Sequence, residues 1–189
     1  MPYYSLDQDM SIADQWHIGD IREVAADCFF DPLDGSPVPL DLTARVAHHG
    51  RETDFAVGWR FLFVSERARQ VIAGTGVSED EIVFHPVRFD NHAPSQAYHA
   101  LSIRKVRACV DEARSEWSPC YYGEGETPTS RGFLRLYGAF FELAIDEEQV
   151  AGLDVLRVEG VKDLVIVSDR IRDAFVAAGL TGARLTRVS

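Results

Sequence analysis

The chain has 189 residues, of which 46% are hydrophobic and 26% are charged, and this composition excludes a disordered protein. The formal net charge of −11 argues against nucleic acid or an anionic membrane as the main partner, because both would repel the chain. Such a charge suits a soluble protein, or one that captures a basic protein.

The cysteines indicate a reducing compartment. Cys28, Cys109 and Cys120 are three widely spaced residues with no C-x-x-C pair, which fits neither a disulfide framework nor a thiolate zinc site. The first residues lack the basic and apolar regions of a signal peptide, and no apolar run approaches the roughly 18 residues of a membrane span. We therefore expect a cytoplasmic protein.

The first half of the chain predicts short strands separated by turns. Residues 27–39 form a loop rich in Asp, Gly and Pro. Pro86 indicates that the strand containing it is an edge strand or carries a bulge. The predicted strands cover residues 3–6, 16–18, 41–48 and 82–89, with residues 55–59 leading into a helix over about 66–73.

The second half continues the same pattern. Residues 98–106 are predicted to be a strand, and residues 118–131 a mobile loop containing Pro119, Gly123, Gly125 and Pro128. Further strands are predicted at 140–145, 153–158 and 183–188.

A repeated segment organises these elements. Val64-Ser65-Glu66-Arg67 and Val167-Ser168-Asp169-Arg170 each follow a short apolar strand and precede an amphipathic helix, and the two serines are 103 residues apart. Ser65 and Ser168 are predicted to be helix N-caps, since a serine oxygen can accept from the free amides of the first turn. Replacing either by alanine would then cost about 1 kcal/mol.

The sequence thus predicts an α+β fold. It consists mostly of antiparallel sheet, with two similar strand–helix–strand units, at about 61–87 and 163–188, packed on it. We expect a single domain over residues 1–189.

No pattern in the sequence indicates catalysis or a bound cofactor. His48 and His49 are adjacent and would point to opposite faces of a strand, while His85, His92 and His99 have no recognised ligand spacing. Glycine-rich phosphate loops are absent from the sequence. We therefore predict no catalytic residue, no metal and no cofactor.

Acidic clusters offer the best candidate surface. Glu124 and Glu126 lie in the predicted mobile loop, and Asp146, Glu147 and Glu148 follow a predicted strand. Further acids lie in the N-terminal part and in one consecutive run: Asp7, Asp9, Asp14, Asp20, Glu79, Asp80 and Glu81. Each cluster alone is typical of a solvated turn, but together they would form an acidic surface able to steer a basic partner.

Several of these segments carry a family resemblance. The V-S-E-R helix start, the Phe84-His85-Pro86-Val87 strand end, and the strand from Tyr98 leading to Asp111 and Ser115-Glu116 resemble the myxobacterial-type immunity family of polymorphic toxin systems. The strand Leu156-Arg157-Val158 and the helix start Ile166-Val167-Ser168-Asp169 are similar to its C-terminal half. The resemblance covers about residues 55–188, which leaves 1–54 as N-terminal strands and a loop.

The resemblance implies a protein that binds and neutralises a cognate toxin, encoded by an adjacent gene, and so protects the producing cell. Aromatic residues beside the predicted loop are candidate anchors for that partner, namely Trp117, Tyr121 and Tyr122. Two alternatives remain open at this point. One is an enzyme acting on a small substrate through an arrangement that the sequence does not reveal, and the other is a self-associating scaffold protein, for which a homo-oligomer is possible.

Overall fold

The computed structural model describes residues 1–23, 41–58, 61–119, 137–161 and 164–188. They form strands and short helices with these bounds: β1 (Tyr3–Gln8), β2 (His17–Ile21), β3 (Leu42–His48), β4 (Phe55–Val57), β5 (Leu62–Ser65), α1 (Glu66–Gly74), β6 (Ile82–Phe89), β7 (Tyr98–Ile103), β8 (Val106–Arg107), β9 (Glu116–Pro119), β10 (Tyr137–Glu142), α2 (Glu147–Val150), β11 (Val155–Val158), β12 (Val165–Ser168), α3 (Asp169–Ala177) and β13 (Ala183–Val188).

The strands form two mainly antiparallel sheets and a separate two-stranded ribbon. One sheet has six strands in the order β2-β3-β6-β7-β5-β4, and the other has five in the order β13-β1-β12-β11-β8. The ribbon consists of β9 and β10. Only the pairs β3–β6 and β8–β11 are parallel among the described strands. The predicted α+β class with mostly antiparallel sheet is confirmed.

The repeat seen in the sequence extends to whole sheets. In the first unit, β4, β5, β7 and β6 lie side by side; in the second, β11, β12, β1 and β13 do the same. The registers agree, because Ser65 pairs with Tyr98 and Ser168 pairs with Tyr3. The second unit therefore takes one of its strands from the N-terminal segment of the chain. The strands of the repeated units are therefore part of the two sheets themselves, with β4 and β13 at an edge of each.

The helices α1 and α3 close a core shared by the two units. Buried residues of this cluster come from both helices and both sheets: Leu6, Val64, Ala68, Ile72, Leu101, Val155, Val167, Ile171 and Phe175. Each helix has the predicted apolar stripe, with Ile72 and Phe175 on its buried face. Burial of these stripes holds the units against each other, since short helices gain most of their stability from packing.

Several predicted elements match the structure and others shift. The strands at 82–89 and 183–188 have the predicted bounds. The strand predicted at 98–106 is divided, because β7 ends at Ile103 and β8 begins at Val106. The strand predicted at 140–145 is observed as Tyr137–Glu142, and β9 was not predicted as a strand.

Pro86 lies in a strand inside the sheet, so the prediction that β6 is an edge strand is wrong. The physical reason for its tolerance is local: the pairing of β6 with β3 begins only at Val87, whereas its pairing with β7 includes Pro86. A proline is therefore accommodated on the side of β6 that β3 does not yet cover. Most of the loop predicted at 118–131 lies outside the described residues.

Candidate partner-binding site

Two chain segments bring five acidic side chains to one open groove. An isolated bridge joins Val110 to Ile145, so the acids that follow each of these residues become neighbours. The groove has a volume of about 690 Å³, and the charged residues lining it are Asp111, Glu112, Arg114, Asp146, Glu147 and Glu148. With five carboxylates and one guanidinium, this acidic groove favours a positively charged partner surface.

Local backbone geometry explains why the acids gather here. Asp146 is the N-cap of α2, and its side chain accepts a hydrogen bond from the amide of Glu148. Glu147 and Glu148 then occupy the first helical turn, where the partial positive charge of the helix end favours acids. The carboxylate of Asp111 accepts from Nε of Arg114 at 2.6 Å, and this hydrogen bond is the main cause of the lowered pKa of Asp111.

An aromatic ribbon borders the acidic groove. The rings of Trp117 and Tyr137 meet edge to face with centroids 4.9 Å apart, and Tyr137 also lies 5.1 Å from Phe140. The next residue, Phe141, is 73% exposed. The hydroxyl of Tyr137 donates to Glu112 at 2.8 Å, so the ribbon and the groove are in direct contact. Aromatic side chains such as these are enriched at protein interfaces, and neighbouring charges at the rim of an interface guide the approach of an oppositely charged partner.

The structure brings part of the predicted site together. Trp117 lies in β9 of the ribbon, and Asp146, Glu147 and Glu148 line the groove. The other predicted residues, Tyr121, Tyr122, Glu124 and Glu126, lie outside the described residues. Sequence reasoning missed Asp111, Glu112, Tyr137, Phe140 and Phe141 as site residues. The bridge that places Asp111 beside Asp146 joins segments that are distant in sequence, so no local sequence pattern predicts it.

Ser65 and Ser168 occupy equivalent positions in the two repeated units, where each is the N-cap of a helix. Neither residue lines the acidic groove. Ser65 Oγ accepts from the amide of Ala68 at 3.1 Å and donates to Asp54 Oδ1 at 2.8 Å. Both side chains are buried. The same Asp54 carboxylate accepts from Arg67 at 3.0 Å and from the amide of Thr181 at 3.0 Å. Asp54 thereby links the first helix start to a turn of the second unit.

The second helix start repeats this arrangement with different outer partners. Ser168 Oγ accepts from the amide of Ile171 and donates to Asp154 Oδ1 at 2.7 Å. Arg170 Nε donates to the same carboxylate at 3.1 Å. Glu81, from the first unit, accepts from the amide of Asp154 at 2.7 Å. Each unit thus donates or accepts a hydrogen bond that fixes the aspartate segment of the other unit.

The remaining candidate groups are accounted for by pairing or burial. His99 contacts Glu66 at 2.7 Å and His92 contacts Glu52 at 2.8 Å. Burial raises the pKa of the Cys109 thiol to about 11, which keeps it protonated. Within the described ranges, no group of three or more His, Cys, Asp or Glu side chains is arranged to hold a metal ion. Cys28 and Cys120 fall outside those ranges. None of the described helices is long and apolar enough to cross a membrane.

A comparison with curated protein sequences found no match. The profile of the Immunity protein family (Imm11), in contrast, matches residues 6–189, which is nearly the whole chain. The match includes the first repeated unit, the second from the middle of β1 onward, the acidic groove and the aromatic ribbon. The chain belongs to the Imm11 immunity protein family.

Proposed function

We propose that this protein binds a cognate toxic effector and blocks its activity, so that the cell producing the toxin survives it. The family match over residues 6–189 is the observation that carries this function. Neutralisation by binding requires a stable interface and no catalytic group. The complex forms in the cytoplasm, where the toxin would otherwise act.

The acidic groove and the aromatic ribbon form the interface in this proposal. The net charge of −11 and the five carboxylates of the groove support a basic toxin surface as the binding partner. Trp117 supplies a large aromatic surface beside the charges, and such residues dominate the binding energy of protein interfaces. A complex of ordinary size buries about 1,600 Å² in total, which is more than the groove alone supplies.

Co-expression with the toxin encoded by the adjacent gene tests the function. Cells carrying both genes should grow, cells carrying the toxin alone should not, and the two proteins should co-purify. If the wild-type protein gives neither growth nor co-purification, the proposed function is wrong.

A matched pair of charge reversals tests the location of the interface. Glu147→Lys with Glu148→Lys should slow association with the toxin by about tenfold or more at low salt, because attraction becomes repulsion. Glu79→Lys with Asp80→Lys makes the same charge change on exposed residues that do not line the groove. That control should have a much smaller effect. Equal slowing by the two pairs would show that only the total charge matters and would refute the assignment of the groove.

A further inference from the structure

The two repeated units differ at their outer strands. By register, β13 of the second unit corresponds to β6 of the first: Val87 pairs with Tyr98, and Val188 pairs with Tyr3. One residue earlier, β6 has Pro86 and β13 has Arg187. The outer side of β6 is joined by β3, whereas none of the described strands pairs with the outer side of β13.

The backbone of β13 presents hydrogen-bonding groups on that outer side. The amide of Asp9 donates to the carbonyl of Gly182, which fixes this pair as a hydrogen-bonded one. Because antiparallel pairs alternate, the amides and carbonyls of Ala183, Leu185 and Arg187 then point away from β1. The corresponding outward position in β6 is Pro86, which has no amide hydrogen to present. Proline at an outward position removes a donor that an added strand would need, and β3 pairs with β6 only from Val87 onward.

A second groove runs along the same strand. It has a volume of about 770 Å³ and lies between β13, with Arg184, Thr186 and Arg187, and the ribbon, with Phe140 and Phe141. Phe141, at 73% exposure, is one of the few large apolar side chains that the described residues leave in solvent. Arg184 lies opposite Asp7 in the register, whereas Arg187 lies opposite Tyr4. The groove therefore has an aromatic wall and a rim of mixed charge, with Asp7 and Glu142 beside the two arginines. It adjoins a strand edge that no other described strand covers.

We propose that an extended segment of the toxin adds to β13 as a further strand of the five-stranded sheet. This proposal rests on the proposed function and specifies how the partner is held. Main-chain hydrogen bonds to Leu185 and Arg187 supply the pairing, and alternate side chains of the added strand enter the groove. The groove selects a segment with apolar side chains for Phe140 and Phe141 and a carboxylate for Arg187.

The comparison of Arg187→Pro with Arg187→Ala tests the backbone contribution. Both changes remove the guanidinium, but only proline removes the outward amide and places a ring on the edge. Arg187→Pro should keep the melting temperature of Arg187→Ala, because Pro86 occupies the equivalent position in the first unit. It should bind the toxin about tenfold or more weakly than Arg187→Ala, the loss expected for one interfacial hydrogen bond and a steric block. Equal affinities of the two variants would overturn the proposal.

Amide hydrogen exchange of the wild-type protein provides a second measurement that needs no substitution. The amides of Leu185 and Arg187 should exchange quickly in the free protein and be protected in the complex with the toxin. Continued fast exchange of these amides in a saturated complex would overturn strand addition. Because this measurement uses the wild-type protein, it tests the proposal even if Arg187→Pro does not fold. If the free protein is instead a dimer that dissociates in Arg187→Pro, a second copy occupies the edge and the proposal fails. A toxin that is neutralised without these effects leaves the proposed function intact.

Discussion

Replacing Ser65 by alanine should destabilise the protein more than the loss of an ordinary helix cap. The hydroxyl accepts from the Ala68 amide at 3.1 Å and donates to the Asp54 carboxylate at 2.8 Å, at a site with no solvent exposure. Loss of an N-cap costs about 1 kcal/mol, and loss of a hydrogen bond to a charged group costs about 1.5–3 kcal/mol. Asp54 keeps its other partners, Arg67 and Thr181, which limits the second contribution. We expect a total loss of about 2–3 kcal/mol.

Urea unfolding of the purified variant measures this loss directly. Ser11→Ala is a matched control, because Ser11 also donates to an aspartate, Asp9, at 2.6 Å but in an exposed turn. The control should lose less than about 1 kcal/mol, since water replaces an exposed hydrogen bond. A double-mutant cycle of Ser65→Ala with Asp54→Asn isolates the pair. A loss for Ser65→Ala no larger than that of the control, or no coupling in the cycle, would refute the reasoning.

Two further predictions concern pH and a glycine. The hydrogen bond from Arg69 is the main cause that lowers the pKa of Glu66 from 4.5 to about 2, so Glu66 stabilises the fold above pH 4.5 and this contribution is lost as the pH falls toward 2. The stability difference between wild type and Glu66→Gln, measured by urea unfolding, should therefore shrink over that interval, and a constant difference would contradict the pairing. Gly182 has φ of +92°, and a Cβ there would lie 2.0 Å from a backbone oxygen, whereas Gly152 has φ of +81° with no atom within 4 Å. Gly182→Ala should lower the melting temperature much more than Gly152→Ala; equal shifts would show that strain alone, without the clash, sets the cost.

The sequence pattern was sufficient for the elements whose causes are local. The apolar strand, serine and amphipathic helix recur at a fixed spacing, and both helices begin where the serines predict. The aspartates that accept hydrogen bonds from these serines could not be predicted from a repeated spacing. Asp54 precedes Ser65 by 11 residues and Asp154 precedes Ser168 by 14, so no constant spacing relates the two pairs. The length of each hairpin is free to vary while the hydrogen bond is retained.

Pairing between segments that are distant in sequence explains the other features that the sequence did not predict. Tyr3 lies opposite both Ser168 and Val188, and nothing near β1 in sequence shows which strands it will join. The same holds for the candidate interface, where contact between Glu112 and Tyr137 depends on the placement of the ribbon. Asp146, Glu147 and Glu148 could be proposed because they are consecutive. Asp111 and Glu112, which line the same groove, could not be proposed from the sequence because they come from another segment of the chain.

The position of β1 between β12 and β13 makes completion of the second sheet depend on synthesis of the last described strand. Its residues are synthesised before both of its partner strands, which lie about 160–185 residues later in the chain. The second sheet therefore gains its last strand, β13, only when synthesis has passed Val188. A translation product that ends before β13 would lack this strand and the edge that we propose for the toxin. Protection would then be limited by complete synthesis of each chain, and a cell making the toxin would need finished immunity protein in advance.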